Sequence, residues 1–175
     1  MKTLKELKLP FIGLKDGVHD FNFGIDDSFF NNFPKSLLKG GDLNIVLRFD
    51  KKPNFYILDF TIQGTVKCEC DRCLQEVNLE VLDEFRIFVK FDDELAGQDS
   101  EEEKVMYISW NETHLDLSQL IYEFIHLSTP LQKFCEDDVS GTRTCKKEVL
   151  DILNKTKKDN DNVDPRWAAL KNLKK

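Results

Sequence analysis

Apolar and polar positions alternate with period two through the middle of the chain, and that alternation predicts strands. Leu43, Ile45, Leu47 and Phe49 share one face of a first strand. A second, over residues 55–66, is apolar on both faces at its start and then alternates through Tyr56, Leu58, Phe60 and Ile62. The third is long, with Val77, Leu79, Val81, Phe85, Ile87, Val89 and Phe91 on one parity and Asp83 breaking the face, as a bulge or bend would. Lys51-Lys52-Pro53-Asn54 closes the first hairpin, and a cysteine-bearing segment closes the second. Consecutive strands with short connections predict an antiparallel meander curled toward a partly open barrel.

Before these strands, the turn signal Asp16-Gly17 and the alternating Phe21-Asn22-Phe23-Gly24-Ile25 predict two early strands joined by a reversal. Asp26-Asp27-Ser28 then caps a single helical turn that holds Phe29, Phe30 and Phe33 inward and stops at Pro34. After them, Val105-Met106-Tyr107-Ile108 returns to the sheet. The period then changes to that of a helix. Asp116 caps it, Leu117, Leu120, Ile121, Phe124 and Leu127 form its stripe, and Thr129-Pro130 ends it. One helix of that width covers one sheet face. A second helix is expected over 146–155 and a polar linker over 157–163. Asp164-Pro165-Arg166-Trp167-Ala168-Ala169-Leu170 begins a short terminal helix, with an N-cap and a proline at the first helical position. The expectation is an α+β fold: a core over 1–130, a cysteine-containing loop and helix over 131–156, and a linker with a basic helical tail over 157–175.

The composition, 41% hydrophobic with 14 phenylalanines in 175 residues, fits a folded core. No apolar run reaches the roughly 20 residues a membrane span needs, and the N-terminal stretch lacks the apolar region of a signal peptide. Five cysteines, an odd number, fit thiols or metal ligands and a cytoplasmic setting. Charge is uneven. Residues 141–175 hold ten Lys/Arg against five Asp/Glu, leaving fifteen against twenty-seven before them. A body so acidic is ill suited to general polyanion binding, whereas the basic tail can meet RNA or an acidic protein surface. The acidic stretch 92–103 carries seven carboxylates without the offsets of a calcium loop, and reads as a solvated loop. His114 and His126 have no partnered motif.

The candidate chemistry sits in Cys68-Glu69-Cys70-Asp71-Arg72-Cys73-Leu74. A C-x-x-C pair holds half a zinc site, forms a redox couple, or makes a hairpin whose thiols are structural. Zinc requires a second pair, and the candidates are Cys135 and Cys145, ten positions apart and unlike the tight second knuckle of a zinc ribbon. Against redox chemistry, the pair lies between strands instead of at a helix N-terminus, and Glu69 and Asp71 disfavour thiolate. No phosphate loop, nucleophile elbow or paired-histidine metal motif is present, so neither a catalytic residue nor a small-molecule substrate is expected. In the tail, Trp167 and Arg166 are residue types that anchor interfaces, and a helix so short needs something to dock on.

Cys70-Asp71-Arg72-Cys73-Leu74-Gln75, the helix Asp116-Leu117-Ser118-Gln119-Leu120-Ile121-Tyr122-Glu123 and the segment from Asp164 to Leu170 resemble, in this order, the YceD-like family of large ribosomal RNA subunit accumulation proteins. The opening Phe11-Ile12-Gly13-Leu14-Lys15-Asp16-Gly17, with Asp26-Asp27-Ser28-Phe29-Phe30, resembles its Bacteroidetes-type branch. The resemblance implies a non-catalytic bacterial cytoplasmic protein needed for large-subunit ribosomal RNA. Its partner would be an rRNA precursor or a ribosome assembly protein, contacted through Asp164, Pro165, Arg166, Trp167 and Leu170. In many members further cysteines complete a metal site, which here would be Cys70, Cys73, Cys135 and Cys145; Cys68 lies outside the motif. Two other classes stay open: a zinc-stapled nucleic-acid or protein-binding adaptor, and a thiol redox protein.

Overall fold

Alternating burial runs through the central strands of the computed structural model, which describes residues 7–97, 99–100, 104–136 and 144–159. The elements are β1 (Lys8–Pro10), β2 (Gly17–Ile25), α1 (Asp27–Phe30), β3 (Gly40–Lys51), β4 (Phe55–Glu69), β5 (Glu76–Phe91), β6 (Asp99–Ser100), β7 (Val105–Ile108), β8 (His114–Asp116), α2 (Ser118–Ser128) and α3 (Lys147–Asp159). The described residues fall into two compact units. A sheet unit takes 7–68 and 78–131; a cysteine unit takes 69–77 and 132–159.

In the sheet unit, Ile45, Leu47 and Phe49 of β3 and Leu58 and Ile62 of β4 are fully buried, each at 0% exposure. Burying such a side chain contributes about 1.5–3 kcal/mol, so this shared face is the main source of the unit's stability. Antiparallel register fixes it, Ile45 facing Ile62 and Leu47 facing Phe60. Gly64 sits opposite Leu43 at φ +149, where an added Cβ would lie 2.2 Å from the Asp42 carbonyl oxygen. Only glycine lets the two backbones approach so closely there. Asp83 is exposed, interrupting the half-buried odd positions of β5 as expected.

The sheet order is β2-β3-β4-β5-β7-β6, and the sheet does not close into a barrel. Two further expectations are corrected. β7 pairs with β5 in parallel, Phe88 facing Val105 and Phe91 facing Ile108. A parallel neighbour needs a crossover of a dozen or more residues, and the acidic stretch 92–104 supplies that length. The first early strand, expected over residues 11–15 before the Asp16-Gly17 turn, is not formed either: Gly17 opens β2, which pairs with β3, while the earlier β1 joins β8 with Leu9 opposite Leu115.

α1 is the capped turn expected, with the Asp26 carboxylate accepting from the Ser28 N–H and with Phe29 and Phe30 buried. Leu117 just before α2 and Ile121, Phe124 and Ile125 within it are buried, but Leu127 is 68% exposed. The inward stripe therefore turns through Ile125. The N-cap falls at Leu117, one residue past the expected Asp116, whose carboxylate still accepts from the Ser118 N–H at 3.0 Å. The Phe124 ring stacks on Phe85 of β5, with centroids 4.3 Å apart, and meets Phe60 of β4 at 5.3 Å. α3 runs to Asp159, beyond the end expected at residue 155 and into the stretch expected to be linker. Among the described residues, no helix is long and apolar enough to cross a membrane.

Candidate metal centre

The strand alternation of β4 ends at a tight knuckle, Cys70 to Gln75, in the cysteine unit. The Cys70 N–H donates to the Gln75 carbonyl at 2.8 Å, and the Leu74 N–H returns to the Cys70 carbonyl at 2.9 Å. This closure holds Leu74 at φ +58, a left-handed conformation that costs a branched residue on the order of 1–2 kcal/mol. Both cysteine side chains are turned inward as a result. A second segment is clamped to the knuckle at Asp71. The Asp71 N–H donates to the Lys133 carbonyl and the Lys133 N–H to the Asp71 carboxylate, both at 2.7 Å, with Lys133 Nζ 3.6 Å from the same carboxylate. Cys135 follows two residues later. The hydroxyl of Thr144 donates to the Glu136 carbonyl, closing the stretch between Cys135 and Cys145 so that the second sulfur returns to the first.

All four of the sulfurs expected as ligands are brought together. The Sγ atoms of Cys70, Cys73, Cys135 and Cys145 lie within 4.8 Å of one another, and all four residues are buried. Cys70 to Cys145 is 3.9 Å and Cys73 to Cys135 is 3.6 Å. These are separations between free thiols, far longer than a disulfide bond of about 2.0 Å. A tetrahedral metal with bonds of about 2.3 Å to sulfur places its ligands about 3.8 Å apart, so four thiolates at this spacing fit a closed structural zinc site. Val77, Phe134, Val149 and Leu150 pack around the cluster. Cys68, buried in the sheet unit, is not among the four.

The thiols are electrostatically unequal. Burial would raise Cys70, but the backbone N–H groups of Arg72, Cys73 and Cys135 turned on its sulfur outweigh that and lower its pKa to about 6. Backbone N–H groups of Lys146 and Gln75 lower Cys73 as well, whereas burial and the neighbouring sulfurs raise Cys135. The acidic neighbours Glu69 and Asp71 were expected to disfavour thiolate at the pair. The backbone N–H groups turned on the Cys70 sulfur lower it nonetheless. Arg72 reaches further than its place in the chain showed: its Nη1 lies 3.8 Å from Cys145 Sγ, and its guanidinium lies 4.5 Å from the Phe134 ring centroid. A cation inside the C-x-x-C pair was the available signal.

Neither candidate histidine is among the clustered ligands. His114 is exposed against the Thr113 hydroxyl, and His126 packs on Tyr122 with its Nε2 3.3 Å from Ser36 Oγ. Asp164, Pro165, Arg166, Trp167 and Leu170 lie outside the described residues.

Sheet and centre together define an α+β protein with a four-cysteine cluster. The chain belongs to the family described as large ribosomal RNA subunit accumulation protein YceD, whose profile matches residues 58–174 and so takes in all four cysteines. The uncharacterized protein YlbN of Bacillus subtilis is 31% identical over 129 residues, 73% of this chain and 72% of that one. Uncharacterized proteins of Mycobacterium bovis and Mycobacterium tuberculosis are each 26% identical over 132 residues, 75% of this chain, and the match spans 62% of their length. No solved structure matches the chain.

Proposed function

We propose that this protein is a non-catalytic cytoplasmic factor supporting the accumulation and maturation of large-subunit ribosomal RNA during bacterial ribosome biogenesis, and that its cysteine unit is held by one zinc ion. The observation that carries the role is the family match over 58–174. The spacing and burial of the four sulfurs support the metal. Cys70, Cys73, Cys135 and Cys145 would hold it, and it would supply a fixed cross-link between the knuckle and the segments on either side of 137–143. The partner is an rRNA precursor or a ribosome assembly protein, met by the basic tail through Arg166, Trp167 and their neighbours Asp164, Pro165 and Leu170. The narrower Bacteroidetes-type affinity rests on residues 11–17 and 26–30, which precede the matched stretch.

Crosslinked capture from cells, comparing wild type with Trp167→Ala, tests the role. Large-subunit rRNA precursors or ribosomal proteins are expected with wild type and are reduced in the variant. Equal recovery moves the contact off the tail, and no ribosomal material refutes the role. A thiol redox reading is favoured by one observation, the lowered Cys70 pKa. It predicts reversible Cys70–Cys73 oxidation in metal-loaded protein, whereas a zinc staple predicts that both thiols resist mild oxidants until the metal is removed.

A further inference from the structure

We infer that Arg72 is the positioning residue that makes Cys145, and not a solvent molecule, the fourth ligand of the metal centre; this rests on the metal reading above. Four thiolates around a divalent cation carry a net charge of about −2 in a buried site. Such a centre is stable only where N–H donors and opposite charge surround the sulfurs. The Cys70 and Cys73 sulfurs meet backbone N–H groups from the knuckle and its neighbours. The Cys145 sulfur meets a side chain, Arg72 Nη1 at 3.8 Å.

The reach of that side chain matters as much as its charge. Arg72 lies between Cys70 and Cys73 in the chain. Its guanidinium rests 4.5 Å from the ring centroid of Phe134, the neighbour of Cys135, and its Nη1 points at Cys145. One planar cation thus joins all three ligand-bearing segments. The knuckle and the 132–135 segment are tied by the Asp71 N–H to the Lys133 carbonyl and by the Lys133 N–H to the Asp71 carboxylate, and the Lys146 N–H, one residue past Cys145, reaches the Cys73 sulfur. Those contacts hold the backbone beside Cys145, across a stretch of chain whose ends meet at Thr144 and Glu136, while Arg72 is the side chain that reaches the Cys145 sulfur itself. Lysine at position 72 would keep a positive charge but could not lie flat on the ring while donating to sulfur.

The test uses the full chain loaded with cobalt(II) as the probe, in wild type, Arg72→Ala, Arg72→Lys and Phe134→Leu. Sulfur-to-cobalt absorbance per bound ion counts thiolate ligands, and limited alkylation with mass mapping shows which cysteine is released. Wild type is expected to show four-thiolate absorbance with all four cysteines protected. Arg72→Ala is expected to bind with absorbance lower by about a quarter, one ligand in four, and affinity lower by about 10–100-fold, with Cys145 alkylated first. Arg72→Lys and Phe134→Leu are expected to fall between, again with Cys145 first.

Undiminished four-thiolate absorbance and equal protection in Arg72→Ala would overturn the inference and leave the metal reading standing. So would complete metal loss in Arg72→Ala if Phe134→Leu released no cysteine preferentially. Wild type that bound no cobalt would remove the metal reading and this inference together.

Discussion

The sheet unit and the cysteine unit are built on different physics. In the first, Ile45, Leu47, Phe49, Leu58 and Ile62 are sealed between strands whose register is fixed residue by residue. In the second, the cluster is four thiols with Val77, Phe134, Val149 and Leu150 around it, and exposed Ile152 and Leu153 lie on its helix. So small an apolar core cannot offset the entropy of ordering its chain, and a segment of that size needs a cross-link. The difference teaches where to expect each unit to fail. One yields to cavities, the other to loss of a ligand.

The largest effect should follow ligand loss. A structural zinc site contributes about 10–16 kcal/mol in zinc-finger peptides. Cys73→Ser should therefore abolish stoichiometric zinc, measured by elemental analysis, while near-ultraviolet dichroism from the aromatic sheet core persists. The converse change is Phe49→Ala, which should cost the sheet unit about 3–5 kcal/mol in denaturant unfolding and leave zinc content at wild-type level. Gly64→Ala forces a Cβ toward the Asp42 carbonyl at a positive φ. It should cost about 1–3 kcal/mol with the same spectator behaviour of the metal. Asp116→Ala removes the carboxylate that receives the Ser118 N–H and should cost about 1 kcal/mol, read as a small fall in the sheet unit's melting temperature. If any of these three sheet variants released zinc, the two units would not be separable in the way the structure implies.

Acid separates the units in the same sense. Lys67 Nζ at 2.6 Å, with the Gly41 N–H at 2.9 Å, holds the Asp27 carboxyl below its ordinary 3.8. A carboxyl lowered in the folded state contributes stability that is present above 3.8 and lost as pH falls through the folded value. Metal-bound thiolates must take up protons to leave the ion, which happens at higher pH. Zinc release should therefore precede loss of the sheet in an acid titration.

How much of this was legible in the sequence follows the same division. Alternation at Leu43 to Phe49 and Tyr56 to Ile62 foretold the buried face, because one-sided burial imposes period two on side chains. It could not foretell that β7 runs parallel to β5, since periodicity carries no direction, nor that the sheet stays open. On α2, Leu127 and Ile125 both fit a helical stripe, and packing chose Ile125. The knuckle was legible from Cys70 and Cys73 alone. Cys135 and Cys145 looked irregular because spacing along the chain does not reveal a loop closed by Thr144 and Glu136. The Asp71–Lys133 clamp left no sequence signal at all.

Hydrogen exchange on zinc-loaded protein, before and after a chelator, tests the central claim most directly. Chelation is expected to strip protection from 69–77, 132–136 and 144–155 while amides of β3 and β4 between Leu43 and Ile62 exchange as before. Unchanged protection in the cysteine unit, or loss spread evenly over both units, would contradict it.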